Sequence, residues 1–352
     1  MIDTDQKLAE LLPVIRAAEW VAVDTEADSL HAYPEKLCLL QITTTGGDEL
    51  VDPLAQMDIN PLLAALHHHE LIFHAADYDL RLFRKHHNFI PEKIFDTMLA
   101  ARLLGEKQFG LGNLVEKFLG VKLEKGSQKA DWARRPLTPR MEEYARNDTH
   151  YLKPLVDKLR AELVAKNRLA WHQESCARLI AESSHLEAPD PDTVWRVKGS
   201  FGLAPAALAV LREIWSWRES EALASARPPF FILSHEVMVA LAEAVTTDKP
   251  VDLLVPRHLT SRRREGLAKA IQVGLAVPPE NFPQIIRSER RRPSEAEFRR
   301  FRELEKIRDQ HATALALDPT LIAPRATLGE LAYDWDAHAA DLMSWQRELL
   351  KG

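Results

Sequence analysis

The sequence predicts an α/β domain with a mixed sheet, followed by an all-helical half. Three observations carry this reading. Apolar, β-favouring runs at Val21–Val23, Leu37–Ile42 and Glu49–Val51 follow one another closely, as in an antiparallel meander. From there to about residue 175 strand-like and helix-like segments alternate, which is the rhythm of an α/β layer structure. Beyond Cys176 strand signal almost vanishes.

The elements can be justified in order. Residues 4–17 space Leu8, Leu11, Leu12 and Ile15 along one helical face. Val21-Ala22-Val23 leads into Asp24-Thr25-Glu26. Leu37-Cys38-Leu39-Leu40-Gln41-Ile42 is almost continuously apolar, as a strand covered on both faces must be. Gly46-Gly47 turns the chain into a third strand ending at Asp52-Pro53. A helix around 61–68, a strand over Glu70–His74 and a helix from Asp77 to about His87 follow. Lys93–Phe95 then leads into a helix capped by Asp96 or Thr97. Residues 105–139 hold a short helix and a polar loop, and a long helix is predicted from Pro139 to about Gln173. Ala188-Pro189-Asp190-Pro191-Asp192 reads as a linker. Two helical modules come after it. They share a pattern, Leu211/Ile214 against Leu304/Ile307 and Leu241-Ala242 against Leu331-Ala332, which suggests a weak duplication.

Bulk properties narrow the classes. At 352 residues, with 46% apolar and 28% charged content, the chain suits two or three ordinary globular domains. A net charge of −6 excludes a generally basic nucleic-acid coat, so any polyanion site must be a local patch. Two cysteines, Cys38 and Cys176, can build neither a disulfide framework nor a thiolate cluster. The N-terminus lacks a basic segment leading into a long apolar core, and no apolar run approaches the roughly 20 residues of a membrane span. These features predict a soluble, cytoplasmic protein with no membrane contact.

Candidate chemistry sits in three places. Asp24 and Glu26, two apart in a strand, project to one side, where two anions repel unless a cation lies between them. A solvated acidic turn explains the same residues equally well. Asp77 and Asp79 open a helix after Phe73-His74; Asp77 reads as a cap, whereas Asp79 lies inside the first turn. Tyr144 and Asp148, four apart on a helix, share a face, as would any half-buried amphipathic pair.

In this order and with these spacings, Asp24-x-Glu26, His74-x4-Asp79 and Tyr144-x3-Asp148 resemble the three exonuclease motifs of the DEDD superfamily, in its tyrosine-bearing branch. Lys36–Ile42, Phe95-Asp96-Thr97, Asp131-Trp132 and Arg135-Pro136-Leu137 resemble the ribonuclease D pattern within that branch. The likeness is close over about residues 1–165. Trp195–Gly199 and Leu211–Glu219 resemble the helical HRDC domain that follows the nuclease in that family. The resemblance implies an RNase H-like exonuclease domain over 1–175, an HRDC-like domain over 192–280, and a second, degenerate HRDC-like domain over 290–352. It implies a 3′→5′ exoribonuclease releasing nucleoside 5′-monophosphates, with tRNA precursors as the usual substrates and no obligate protein partner. It also implies two divalent ions, Mg²⁺ or Mn²⁺. Asp24 would bridge them, Glu26 and Asp148 would complete the first site, and Asp79 would hold the second. Tyr144 would orient the attacking water.

Gln41, His31, Tyr33, His74, Trp132 and Arg135 are candidate substrate contacts. The alternatives for some are plain: a buried strand glutamine bonded to backbone for Gln41, and loop packing for Trp132. Arg262–Arg264, Arg290–Arg292, Arg299, Arg300 and Arg302 would engage RNA phosphates, or form a salt-bridged solvated surface with the interleaved glutamates. His67-His68-His69 reads as a solvated helix end, because adjacent helical residues diverge in direction. The competing functions are a 3′→5′ DNA exonuclease of the same superfamily and a catalytically dead RNA-binding scaffold. Retention of all five motif residues speaks against the scaffold.

Overall fold

The computed structural model describes residues 1–124, 126–185, 188–286 and 292–351. The chain forms two compact units, one of residues 1–27, 37–186 and 291–352, the other of residues 28–36 and 187–290.

In the first unit a five-stranded sheet runs in the order β3-β2-β1-β4-β5. β1 (Val21–Ala27), β2 (Leu37–Thr44) and β3 (Gly47–Val51) form the expected antiparallel meander. β4 (Glu70–Phe73) and β5 (Lys93–Asp96) add to it in parallel, with β4 beside β1. Parallel neighbours need a crossover, and α3 (Asp77–His87) supplies the one from β4 to β5. The alternation of side chains along the strands divides the core into two layers. Val21, Val23, Leu71, Phe73 and Ile94 pack with α1 (Asp5–Ala17), α2 (Asn60–Leu66) and α3. Ala22, Ile72 and Phe95 face the other way, onto α4 (Thr97–Leu104), α5 (Leu111–Leu119) and α7 (Leu152–Ala165). A buried Val, Leu, Ile or Phe contributes roughly 1.5–3 kcal/mol, so a one-residue slip of β1 would turn its whole apolar row outward. The register that buries Val21 and Val23 therefore also aims Asp24 and Glu26 along the Ala22 row.

The long helix expected over 139–173 is instead α6 (Pro139–His150), α7 and α8 (Leu169–Ser184). Pro154 in the first turn of α7 lacks an N–H, and its ring crowds the carbonyl four residues back, so α6 cannot run through it. Asn167, with φ of 56°, separates α7 from α8. α6 is pinned across the sheet by side chains: Thr43 Oγ1 lies 2.7 Å from Thr149 Oγ1, and Arg146 donates to the Asp48 carbonyl. α8 continues past residue 175 to Ser184, with Leu179 and Ile180 packed on the sheet's first layer.

Residues 292–351 do not form a core of their own. Phe301, Leu304, Ile322, Leu328 and Trp345 are buried together with Leu103, Leu104, Val115 and Leu159 of the α/β domain. At Gly105, φ is 91° and the Ala316 carbonyl passes so close that a β-carbon could not be accommodated.

The second unit packs α9 (Pro205–Ser225), α10 (Pro229–Ile232), α11 (His235–Thr246) and α12 (Ser261–Leu275) around Trp195, Leu211, Ile214 and Leu241. Its helices have counterparts in the first unit displaced by 90 residues: α13 (Glu295–Leu315) and α14 (Pro319–Ile322) match α9 and α10 in both bounds, and α15 (Arg325–Tyr333) starts in step with α11. Ala226 and Ala316 end the two long helices in the same left-handed conformation. Buried Arg218 and Arg308 each bond the next residue's carboxylate at 2.7 Å. This register pairs Leu211 with Phe301 and Ile214 with Leu304, correcting the Leu211/Leu304 alignment drawn from sequence; Leu241 with Leu331 stands as expected. α16 (Trp335–His338) and α17 (Ser344–Lys351) complete the chain. Among the described residues no helix is long and apolar enough to cross a membrane.

Asp96, fully buried, ties the sheet to the turn before α3. Its carboxylate accepts from the N–H groups of Ala75 and Ala76 at the end of β4, and from Met98 and Leu99 at the start of α4. Asp96→Ala leaves four donors short of a partner and is expected to cost about 3 kcal/mol or more. Urea denaturation would measure it; a loss below about 1 kcal/mol would mean that the turn is held by other contacts.

Candidate active site

β1 ends in alternating side chains with opposite destinations. Asp24 and Glu26 point toward α6, where Tyr144 and Asp148 stand four residues apart on the facing surface. Thr25 points to the other layer, and its hydroxyl donates to Asp79 near the start of α3. Carboxylate oxygens of Asp24, Glu26 and Asp148 all lie within 4.8 Å of one another. Asp79, buried and held by Thr25, stands beside this trio rather than in it.

The four carboxyls crowd one another. Burial, then the charge of Asp148, raises Asp24 well above the ordinary carboxylate range. Burial, then Asp24, pushes Glu26 up to about 10. Burial lifts Asp148 to about 7 against the lowering effect of Tyr144, and burial with the Asp24 charge raises Asp79. Such a site favours protons or a cation. Its donors are all carboxylate oxygens, the ligand type of hard divalent ions such as Mg²⁺ and Mn²⁺, and three of them already converge. The residues present therefore fit the metal that the motif implies.

The carboxylates open into a cleft of about 650 Å³ lined also by His74, Gly110, Gly112, Asn113, Glu124, Gly126, Gln128 and Tyr144. Burial, then the charges of Asp148, Glu26 and Asp24, raises the Tyr144 phenol, so it stays protonated at neutral pH. Its hydroxyl is within reach of both Asp148 and Gln128. Gly126 lies so close beneath the Tyr144 ring that a β-carbon there would collide with it. The N-terminus of α5 enters the same cleft, and its N-cap, Gly110, offers no side chain to the first N–H groups. Backbone donors of this kind suit a phosphate. The α5 terminus, Thr25, Gly126 and Gln128 escaped the sequence reading. Gly110-Leu111-Gly112 before a helix was the one signal that could have found the first of them.

The other candidates divide. His74 lines the cleft, with Nδ1 2.8 Å from Thr97 Oγ1. Gln41 pairs with Asp24 across the β1–β2 ladder, is 0% exposed, and among the described residues neither of its polar atoms finds a partner, the backbone included. Trp132 is buried against Tyr144 and does not line a substrate path. Arg135 grips both oxygens of Asp52 at 2.6 Å and the Cys38 carbonyl at 2.7 Å, fastening its loop to the sheet. Tyr33 belongs to the second unit, where its hydroxyl donates to Glu219 at 2.7 Å; His31 is exposed in the same loop. Arg262 and Arg263 bond Glu221, and Arg264 bonds the carbonyls of Pro256, Arg257 and Leu259. Arg290 and Arg291 lie outside the described residues. Arg299 and Arg300 are exposed on α13, while Arg302 pairs with Glu305 at 2.8 Å.

A sheet and helices that assemble a carboxylate cluster at a strand end, followed along the chain by a helical HRDC domain, define a 3′→5′ exonuclease. Residues 1–164 match the 3′-5′ exonuclease family model, and residues 207–250 match that of the HRDC domain. The chain is 34% identical to ribonuclease D of Zymomonas mobilis over 295 residues, covering 81% of this chain and 75% of the relative. Escherichia coli RNase D, an exoribonuclease involved in structured RNA processing, superposes with a TM-score of 0.75 at 25% identity, covering 100% of this chain and 98% of its own. A protein from Bifidobacterium adolescentis superposes with a TM-score of 0.83 at 26% identity, covering 99% and 94%. The chain belongs to the ribonuclease D family, and its activity is that of a 3′→5′ exoribonuclease of the DEDD superfamily.

Two outcomes follow from the crowding. The raised acids bind more protons folded than unfolded, so stability must fall as pH rises between the two pKa values. For Asp148 that window runs from about 4, the unfolded value, to about 7. Chelator-treated protein is expected to lose melting temperature between those pH values, and Asp148→Asn should flatten the loss. A profile unchanged by Asp148→Asn would show that this carboxyl is not perturbed. Separately, Gln41→Met removes an orphaned amide that costs about 1–3 kcal/mol, so the variant is expected to melt no lower than the parent.

Proposed function

We propose that Asp24, Glu26, Asp79, Tyr144 and Asp148 are the catalytic set, releasing nucleoside 5′-monophosphates from RNA 3′ ends. The convergence of three carboxylates beside one protonated phenol in an open cleft carries this reading. Asp24, Glu26 and Asp148 would hold one divalent ion, and Asp79, with Asp24 shared, a second. When bound, the two ions neutralise phosphate charge, activate the attacking water and stabilise the leaving 3′ oxygen. Thr25 fixes the Asp79 carboxylate through its hydroxyl. Tyr144 keeps its proton and is a poor base, so its work is to orient the water, with the ring seated on Gly126. The free N–H groups opening α5 would take a substrate phosphate, and His74 would border the terminal nucleotide. Residues 292–351 are read as a second copy of the HRDC-type helices, adapted to pack on the nuclease. Precursors of tRNA, or other structured RNAs, are the proposed substrates.

Asp24→Ala and Asp148→Ala are expected to abolish hydrolysis while RNA binding persists, and Tyr144→Phe to be milder because every carboxylate remains. Full activity in Asp24→Ala would refute the assignment. A 3′-extended tRNA, an unstructured RNA and a single-stranded DNA of equal length, each with and without EDTA, would test the substrate. Ladders on both RNAs that EDTA abolishes are expected, and preference for the DNA would favour the DNA exonuclease. If Arg299 and Arg300 bind phosphate, replacing both should flatten the salt dependence of log affinity by about 0.7 for each phosphate no longer neutralised.

A further inference from the structure

A second group of metal-ligating side chains lies outside the carboxylate cleft. His67 is the C-cap of α2, His68 follows it in the turn, and Glu92 immediately precedes β5. His67 Nε2 stands 3.4 Å, and His68 Nδ1 3.5 Å, from the same oxygen, Glu92 Oε1. All three donor atoms fall within 4.8 Å of one another. The divergence expected of adjacent helical residues does not hold here, because the chain leaves the helix after Leu66 and both imidazoles turn to one carboxylate, their rings 5.1 Å apart.

The spacings identify what could sit among them. A charge-assisted N–H···O bond is about 2.7–2.9 Å long, so both gaps are too wide for direct hydrogen bonds. Four-coordinate Zn²⁺ with bonds of about 2.0–2.2 Å has donor–donor edges of about 3.3–3.6 Å, which both gaps match. The proton on His67 points the same way. Nδ1 lies 3.1 Å from the Ile90 carbonyl, which only accepts, so Nδ1 carries a hydrogen and Nε2 is the ring atom turned to Glu92, the hydrogen-bond pattern usual for a ligating imidazole. Phe89 packs edge-on against the His67 ring and helps hold its orientation.

We infer that His67, His68 and Glu92 form a surface site for a borderline transition-metal ion such as Zn²⁺, with a fourth position open to solvent. Two imidazoles and one carboxylate favour Zn²⁺ over the hard ions that suit the all-oxygen cleft. A bound ion would join the end of α2 to the segment entering β5, an edge strand of the sheet.

The test uses chelator-stripped full-length protein titrated with Zn²⁺ in a large excess of Mg²⁺, which occupies the cleft. Isothermal titration calorimetry of the parent, His67→Ala, His68→Ala and Glu92→Gln reads stoichiometry and affinity. One equivalent is expected in the parent, with affinity falling at least tenfold in each variant. Co²⁺ in place of Zn²⁺ should give the strong visible absorption of a tetrahedral site in the parent only. The side chains are 42%, 78% and 52% exposed, so the variants are expected to fold and to retain Mg²⁺-dependent hydrolysis. Zn²⁺ binding that is equal in parent and variants, or absent from the parent, would overturn the inference.

Discussion

Electrostatic repulsion among four crowded carboxyls, one buried and three half-buried, is the constraint around which this molecule is built. Asp24, Glu26, Asp79 and Asp148 would separate if the chain allowed it, since each raises the proton affinity of a neighbour. They stay together because the elements that carry them are fixed by apolar burial. β1 cannot slip without exposing Val21 and Val23, and α6 cannot slide while Thr149 is tied to Thr43. The crowding so held favours protons or a divalent cation among these oxygens.

The supporting parts share the labour. Asp96 sets the turn from β4 into α3, so the position of Asp79 depends on a carboxylate that takes no part in the cluster. Arg135 locks the loop bearing Trp132 to the meander, and Trp132 in turn backs the Tyr144 ring. In the 131–136 segment the contacts seen are thus with the meander and with the phenol. Gln41 is different in kind: a buried amide with neither atom satisfied, directly across the ladder from Asp24, is a cost the fold carries beside its site.

The helical parts share one design used in two ways. In the second unit, α9 to α12 enclose their own core around Ile214 and Leu241. The matching helices from α13 onward, in step at 90 residues, spend the equivalent apolar face on the nuclease, with Phe301 and Leu304 buried beside Leu103 and Leu159. The two sets of helices are alike in local geometry and differ in what they pack against.

Local pattern alone determined much of this. The meander, the alternating α/β rhythm, the Asp96 cap and the spacing of the acidic motifs are all short-range properties, set by strand and helix periodicity and by turn chemistry, and each was readable from neighbouring residues. Tertiary structure decided whatever depended on distant partners. Which arginines are consumed by Glu221 or Asp52, whether Trp132 faces solvent, where 292–351 finds its core, and that two adjacent histidines meet Glu92 are outcomes of packing between segments far apart in the chain. No single stretch contains that information, because a side chain's environment is fixed by what arrives to cover it.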